Sequence, residues 1–178
     1  MNPEIDAIAK QARAAYQAGD YVAAIKAYDQ ARCTALDSGD EPLAAEMANN
    51  LSVAYLQNNQ PSEALSVALG TDLVFEACGD IAKQGMALGN IGTAYEELKQ
   101  WDQAADHYQR AIELLEQAGE TEFRGIMQKS LAAIQIRQGK HLEGLISMQQ
   151  SFDGQKKLTP RERWLKRLLR LPFKFLGK

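Results

Sequence analysis

The stretch Ile91–Ile112, IGTAYEELKQWDQAADHYQRAI, decides the fold. Gly92, Ala94 and Tyr95 fall on one helical face, and a polar turn follows at Lys99 and Gln100. Ala104, Tyr108 and Ala111 then fall on one face of a second helix. Two helices that cross closely need this alternation: glycine and alanine let the backbones approach, and tyrosines fill the space left beside them. A pair of this size cannot bury its apolar faces alone, so further copies are expected.

The copies recur every forty residues. The turn residue is Gly19, Asn59, Lys99 and Gly139. The small residue of the second helix is Ala24, Ala64, Ala104 and Gly144, and that of the first is Ala12, Ser52, Gly92 and Ala132. The joins repeat as Gly39-Asp40, Gly79-Asp80 and Gly119-Glu120. Glycine suits a helix C-terminus, and the acid after it favours the start of the next helix. The pattern predicts first helices over about 3–18, 41–58, 81–98 and 121–138, and second helices over about 21–37, 61–77, 101–118 and 141–156. Pro3, with Asn2 as a cap, and Pro61 stand at first helical positions, where a proline starts a helix instead of breaking it.

Gly19-Asp20-Tyr21 followed by Ala24-Ile25, Tyr28 and Ala31 resembles the turn and second helix of the tetratricopeptide repeat (TPR) family. Asn90-Ile91-Gly92 with Tyr95 resembles its first helix. The family's usual period is about 34 residues; the longer one here is closer to the repeats of kinesin light chain and of the spindle-orientation scaffolds. The resemblance covers roughly residues 5–157, with the fourth copy weakest: Gln135 stands where a tyrosine is common and Gly144 replaces alanine. It implies an all-α, right-handed superhelical solenoid of four helix-turn-helix repeats at about 3–39, 40–79, 80–119 and 120–157. The solenoid then occupies 1–157, and a basic amphipathic tail helix occupies 158–178.

Composition excludes several classes. The 178 residues are 46% hydrophobic, enough for a continuous core, with few prolines and no low-complexity run. The start, MNPEIDAIAK, is acidic and lacks the apolar run of a signal peptide, and no stretch approaches the ~20 apolar residues of a spanning helix. The expected location is the cytosol, with the tail able to reach the cytoplasmic face of a membrane. Cys33 and Cys78 are read as free thiols of a reducing compartment. His107 and His141 lack partners at metal spacing. No phosphate loop, HExxH pair or nucleophile elbow occurs. The titratable candidates Lys10, Glu46, Glu97 and Lys129 are spread over several repeats, so no enzyme, metal or cofactor is expected.

First helices of such a stack line its concave face. Alignment on the turn residue puts Lys10, Arg13 and Gln17 there in the first copy, and Glu46, Asn49, Asn50, Val53 and Gln57 in the second. The third supplies Met86, Asn90, Thr93 and Glu97, and the fourth Ile126, Lys129 and Arg137. The centre is small and amide-rich, and an amide both donates to and accepts from a bound backbone. The resemblance adds that Asn50 and Asn90 fall where peptide-binding members carry asparagines holding the ligand backbone. Lys10 matches one position of the carboxylate clamp of co-chaperone members. Met86 and Thr93 stand where its later cations would be, so a full clamp is not implied.

The net charge of −3 is unevenly divided: residues 155–178 hold nine basic side chains and one acid, Glu162, for +8. The body therefore carries about −11, a split that itself points to an interaction tail. Thr159-Pro160-Arg161-Glu162 reads as a capping box with proline at the first position. The helix is expected to end near Leu171, before Pro172. Trp164, Leu165, Leu168 and Leu169 share one side, and Arg161, Lys166, Arg167 and Arg170 cover the rest; Phe173 and Phe175 follow around a lysine. Three roles fit: a cap packed on Leu145, Ile146 and Phe152, an anchor in an anionic membrane surface, or a ligand for an acidic groove. Nucleic acid is disfavoured because the acidic body repels it. The expectation is a non-catalytic adaptor or assembly-factor-like module with a protein client, a peptide or helix, in its groove and a tail for an anionic membrane. The alternative is self-association, the tail of one copy docking on the acidic body of the next.

Overall fold

The computed structural model describes residues 3–153, 155 and 158–176, with side chains as far as Leu169. Among them are ten helices: α1 (Pro3–Gln17), α2 (Tyr21–Asp37), α3 (Glu41–Gln57), α4 (Pro61–Ala68), α5 (Thr71–Cys78), α6 (Ile81–Glu97), α7 (Trp101–Gln117), α8 (Thr121–Arg137), α9 (His141–Gln150) and α10 (Pro160–Leu176). Each helix packs chiefly on its neighbours in sequence, which makes the chain a solenoid of four helix pairs closed by a tail helix.

The forty-residue register has a backbone cause. Gly19, Asn59, Lys99 and Gly139 all adopt left-handed backbone, with φ of 79°, 60°, 60° and 79°. The joins Gly39, Gly79 and Gly119 do the same, at 74°, 71° and 75°. A left-handed residue directs the chain back across the helix it has just left. The acid that follows then caps the next helix: Asp20, Asp40 and Asp80 accept the backbone N–H of Ala23, Leu43 and Lys83 at 3.0, 3.1 and 3.0 Å. Such a cap contributes about 1 kcal/mol.

The core is lined with alanine. Ala12, Ala24, Ala31, Ala54, Ala64, Ala94, Ala104, Ala111 and Ala132 are wholly buried, and Tyr28 and Tyr108 fill the gaps between helices. The Tyr108 ring lies over Gly92, where an added Cβ would stand 2.9 Å from the ring carbons. Its hydroxyl donates to Glu96 Oε2 at 2.6 Å. Burial first, and then this carboxylate, push the Tyr108 phenol far above its usual range.

Three boundaries differ from the sequence expectation. The second helix of repeat two, expected over 61–77, is broken into α4 and α5. Leu69 at φ −58°, ψ 128° and Gly70 at φ 86°, ψ −8° form a type II turn, which requires a positive φ at its third residue. The Thr71 hydroxyl seals it by donating to the Ala68 carbonyl at 2.7 Å. The second helix of repeat four, expected to run to 156, stops at Gln150. The amides of Phe152 and Asp153 bond three residues back, and this tight turn carries Phe152 inward to 2% exposure. The tail helix continues through Pro172 to Leu176 instead of ending near Leu171. The restriction before a proline is a bias, and a bent helix continues through it when no second breaker follows at once. Asn2, expected as the first cap, lies outside the described residues.

Candidate groove and tail surface

The residues that sequence alignment places on the concave face separate into three groups. Asn49, Asn50, Val53, Met86 and Asn90 line one pocket of about 300 Å³ across repeats two to four. Phe75 and Leu115 are buried at its base, and Phe123, Met127 and the ion pair Lys83–Glu46, at 2.9 Å, complete it. That pair raises the Lys83 pKa, chiefly through its hydrogen bond to Glu46. Asn50 and Asn90 occupy equivalent positions on α3 and α6, half-buried. Neither side chain is hydrogen-bonded within the described residues. Asn49 is different: it is buried, and its side-chain amide lies 2.9 Å from the Thr71 hydroxyl oxygen, so it ties α3 to the broken helix.

A second group is held by its own fold. The Thr93 hydroxyl donates to the Gly89 carbonyl at 3.0 Å and lies 3.2 Å from the Tyr108 hydroxyl oxygen. The Arg137 guanidinium lies 4.4 Å from the centre of the Trp101 ring. Lys129 Nζ is 2.7 Å from Glu162 Oε1 and 5.5 Å from the centre of the Phe152 ring. The third group, Lys10, Arg13, Gln57 and Glu97, is exposed and lies outside this pocket. Burial raises the pKa of Tyr28, and the neighbouring Arg13 partly offsets the shift.

Sequence reasoning missed Phe75, Lys83, Leu115, Phe123 and Met127. Lys83 and Phe123 stand three residues, one turn, ahead of Met86 and Ile126, the counterparts of Glu46 on their helices, so the 3.6-residue period reaches them. Phe75 is placed by the break at Gly70 and has no such signal.

The tail closes the fourth repeat. Thr159 and Glu162 form the expected capping box: Glu162 N–H donates to Thr159 Oγ1 at 3.2 Å, and Thr159 N–H to Glu162 Oε2 at 2.9 Å. Lys129 first, and then these Thr159 donors, lower the Glu162 pKa to about 2. Lys166 Nζ donates to the Phe152 carbonyl and to Asp153 Oδ1, each at 3.0 Å. Leu169 is buried, and Leu165 is half-buried. Trp164 and Leu168 remain 63% and 39% exposed, with Arg161 and Arg167 exposed beside them. The side chains of Arg170, Phe173 and Phe175 lie outside the described residues. No described helix is long and apolar enough to cross a membrane.

Comparison with known proteins agrees with this architecture. The tetratricopeptide repeat profiles match residues 9–71 and 86–117, together more than half of the chain. No curated protein matches the sequence significantly. Among solved structures, the chain is similar to the apo form of RapI, with a TM-score of 0.76 and 15% identity over 97% of this chain and 52% of that one. It therefore spans about half the length of RapI. It is also similar to the Sgt2 TPR domain from Aspergillus fumigatus, with a TM-score of 0.62 and 20% identity over 89% and 91% of the two chains. A third likeness is to the nearly identical TPR-like repeats of a Podospora anserina chain described as kinesin light chain (TM-score 0.66, 15% identity, 98% and 97% covered). At these identities the likeness is one of fold. The repeat is in general a non-catalytic scaffold for protein interaction, and by its repeats this chain belongs to the tetratricopeptide-repeat family.

Proposed function

We propose that this chain is an adaptor that holds a peptide or helix of a protein client across repeats two to four. One observation carries the reading: Asn50 and Asn90, one repeat apart, border an apolar pocket without hydrogen-bond partners among the described residues. Packed helices lie about 8–10 Å apart, and an extended chain advances ~3.3–3.6 Å per residue. Amides on adjacent first helices thus match backbone groups about three residues apart. Val53, Met86, Phe123 and Met127 offer apolar contact between them. Methionines suit side chains of varied shape, because the thioether is flexible and polarizable.

A photo-crosslinker at Val53 tests this in cells, with the same group at exposed Val22 on α2 as the reference. The expected result is a discrete protein adduct from Val53 alone, lost in Asn50→Ala/Asn90→Ala. The melting temperature should stay near that of the parent, since neither amide holds the fold. An adduct pattern shared by both sites, or unchanged by the double substitution, would exclude the groove.

The tail extends the proposal to location. A basic amphipathic helix with exposed Trp164 and Leu168 has the composition that lies in an anionic interface. Recruitment to the cytoplasmic face of such a membrane would bring the groove to clients there.

A further inference from the structure

We propose that the tail helix meets an anionic lipid surface while still docked on the last repeat, so that the solenoid stands end-on with repeat four nearest the lipid. The inference rests on the recruitment reading above and adds its geometry. Docking uses one side of α10. Leu169 is buried there, Lys166 is bound to the Phe152 carbonyl and Asp153, and Glu162 is bound to Lys129. Glu162 is the sole acid from 155 onward, so the body holds the tail through its one negative charge.

The side turned away is built differently. Trp164 and Leu168 are one helical turn apart and exposed, so they enter an interface together. Arg161, Arg163 and Arg167 are exposed around them and have no carboxylate partner among the described residues. A cap alone explains the buried side and leaves this one without a role. Charge selects the occupant: the body repels anionic lipid, and the tail supplies the cations. Tryptophan at the edge of a basic surface belongs at the headgroup level of a bilayer. Undocking would release Glu162 and leave Lys129 unpaired without freeing any of the three arginines, which are free already.

The test is co-sedimentation with vesicles of mixed phosphatidylglycerol and phosphatidylcholine, with pure phosphatidylcholine as the reference. The chain carries Cys33→Ser, Cys78→Ser, Asp153→Cys and Lys166→Cys, and is examined before and after a short bismaleimide joins the two new thiols. Trp101→Phe in the same chain leaves Trp164 as the only tryptophan. The expected result is equal binding of locked and unlocked chains to the anionic vesicles, with a blue-shifted Trp164 emission in both. Replacing the three arginines with glutamine should lower partitioning on the order of 100-fold, since each such cation near the surface contributes a factor of about five. Leu168→Ser, which keeps the Trp164 reporter, should reduce both the binding and the blue shift.

Binding by the unlocked chain alone overturns the docked geometry and leaves recruitment standing. Binding by neither chain overturns both. Equal binding to neutral vesicles overturns the choice of anionic lipid. A mass that doubles with concentration in solution and returns to that of one chain in Trp164→Ser/Leu168→Ser identifies a second copy as the occupant and overturns the proposal.

Discussion

Two glycines on α6, three residues apart, should respond to alanine with opposite sign. At Gly92 an added Cβ meets the Tyr108 ring, with Cδ1 and Cε1 both at 2.9 Å. The ring cannot swing aside, because it is fully buried and its hydroxyl is held by Glu96 and Thr93. At Gly89 the added Cβ meets Met127 Sδ at 2.7 Å, the far end of a flexible and half-buried side chain. Both substitutions gain about 0.5–1 kcal/mol of helix propensity. Gly92→Ala also carries an overpacking cost of about 1–3 kcal/mol. The first repeat argues for the middle of that range, because it sets Ala12 opposite Tyr28 with both buried, so a slightly wider crossing accommodates a methyl. The net expectation is a loss of about 1 kcal/mol for Gly92→Ala and a gain of about 0.5 kcal/mol for Gly89→Ala. For a chain of this size, that separates their melting temperatures by roughly 3–6 °C. Urea unfolding followed by helical ellipticity reads it as a difference in midpoint at constant slope. Tyr108→Phe frees the ring, so the double variant Gly92→Ala/Tyr108→Phe should lose less than the sum of its parts. A Gly92→Ala chain as stable as Gly89→Ala would refute the close-approach account of the repeat.

The remaining predictions concern local features. Ser52 is wholly buried with an unpartnered hydroxyl, at the position filled by Ala12 and Ala132 in other repeats; Ser52→Ala should raise stability by about 1 kcal/mol, and a drop in the urea midpoint would contradict this. Lys99 is exposed at φ 60°, so Lys99→Gly should gain about 1 kcal/mol by relieving left-handed strain, against no gain if the turn is unstrained. Glu162 has its pKa lowered to about 2, so its hold on the tail is complete above about 4.5 and lost as pH falls from there towards 2. Trp164 anisotropy in a Trp101→Phe chain should fall over that window, and Glu162→Gln should remove the dependence; a transition near neutral pH would show that other groups hold the tail.

The parts of this fold that were legible are those set by local backbone geometry. Gly19 and Gly139 mark left-handed turns because glycine alone enters that region freely. Asn59 and Lys99 became readable only through the register, since neither residue announces a positive φ by itself. Gly92 and Tyr108 revealed a helix crossing because volume must be conserved across it. The groove was half legible. Its stripe follows from helical period, which found Asn50, Val53, Met86 and Asn90. Which members remain free depends on contacts far apart in sequence. Asn49 is bound to Thr71, and Lys129 to Glu162, across 22 and 33 residues. No periodicity encodes such pairings, because each depends on how two elements happen to stack. Gly70 shows the same limit from the other side. A single glycine in a helical pattern costs only about 1 kcal/mol, so a continuous helix was the fair expectation. The turn wins because the Thr71 hydroxyl satisfies the Ala68 carbonyl and pairs with the Asn49 side-chain amide.

That broken helix also explains how this pocket forms across repeats two to four. In repeats one and three the second helix is continuous, and Tyr28 and Tyr108 fill the crossing. Repeat two has Ala68 at that position, so the crossing lacks its large side chain. The turn at Leu69–Gly70 re-aims the chain, and Phe75 enters the core one element later, 1% exposed, beside Ala45 and Ala87. Burying a phenylalanine contributes about 2–3 kcal/mol, which offsets the interrupted helix. The filling side chain now comes from beneath α3 and α6, and its ring forms part of the floor between them. On α6, Gly85 lines the pocket and carries no side chain into it. A repeat that kept the tyrosine and the unbroken helix would close its own crossing and present a flat concave face. The pocket is thus a consequence of the break that interrupts the second helix of repeat two.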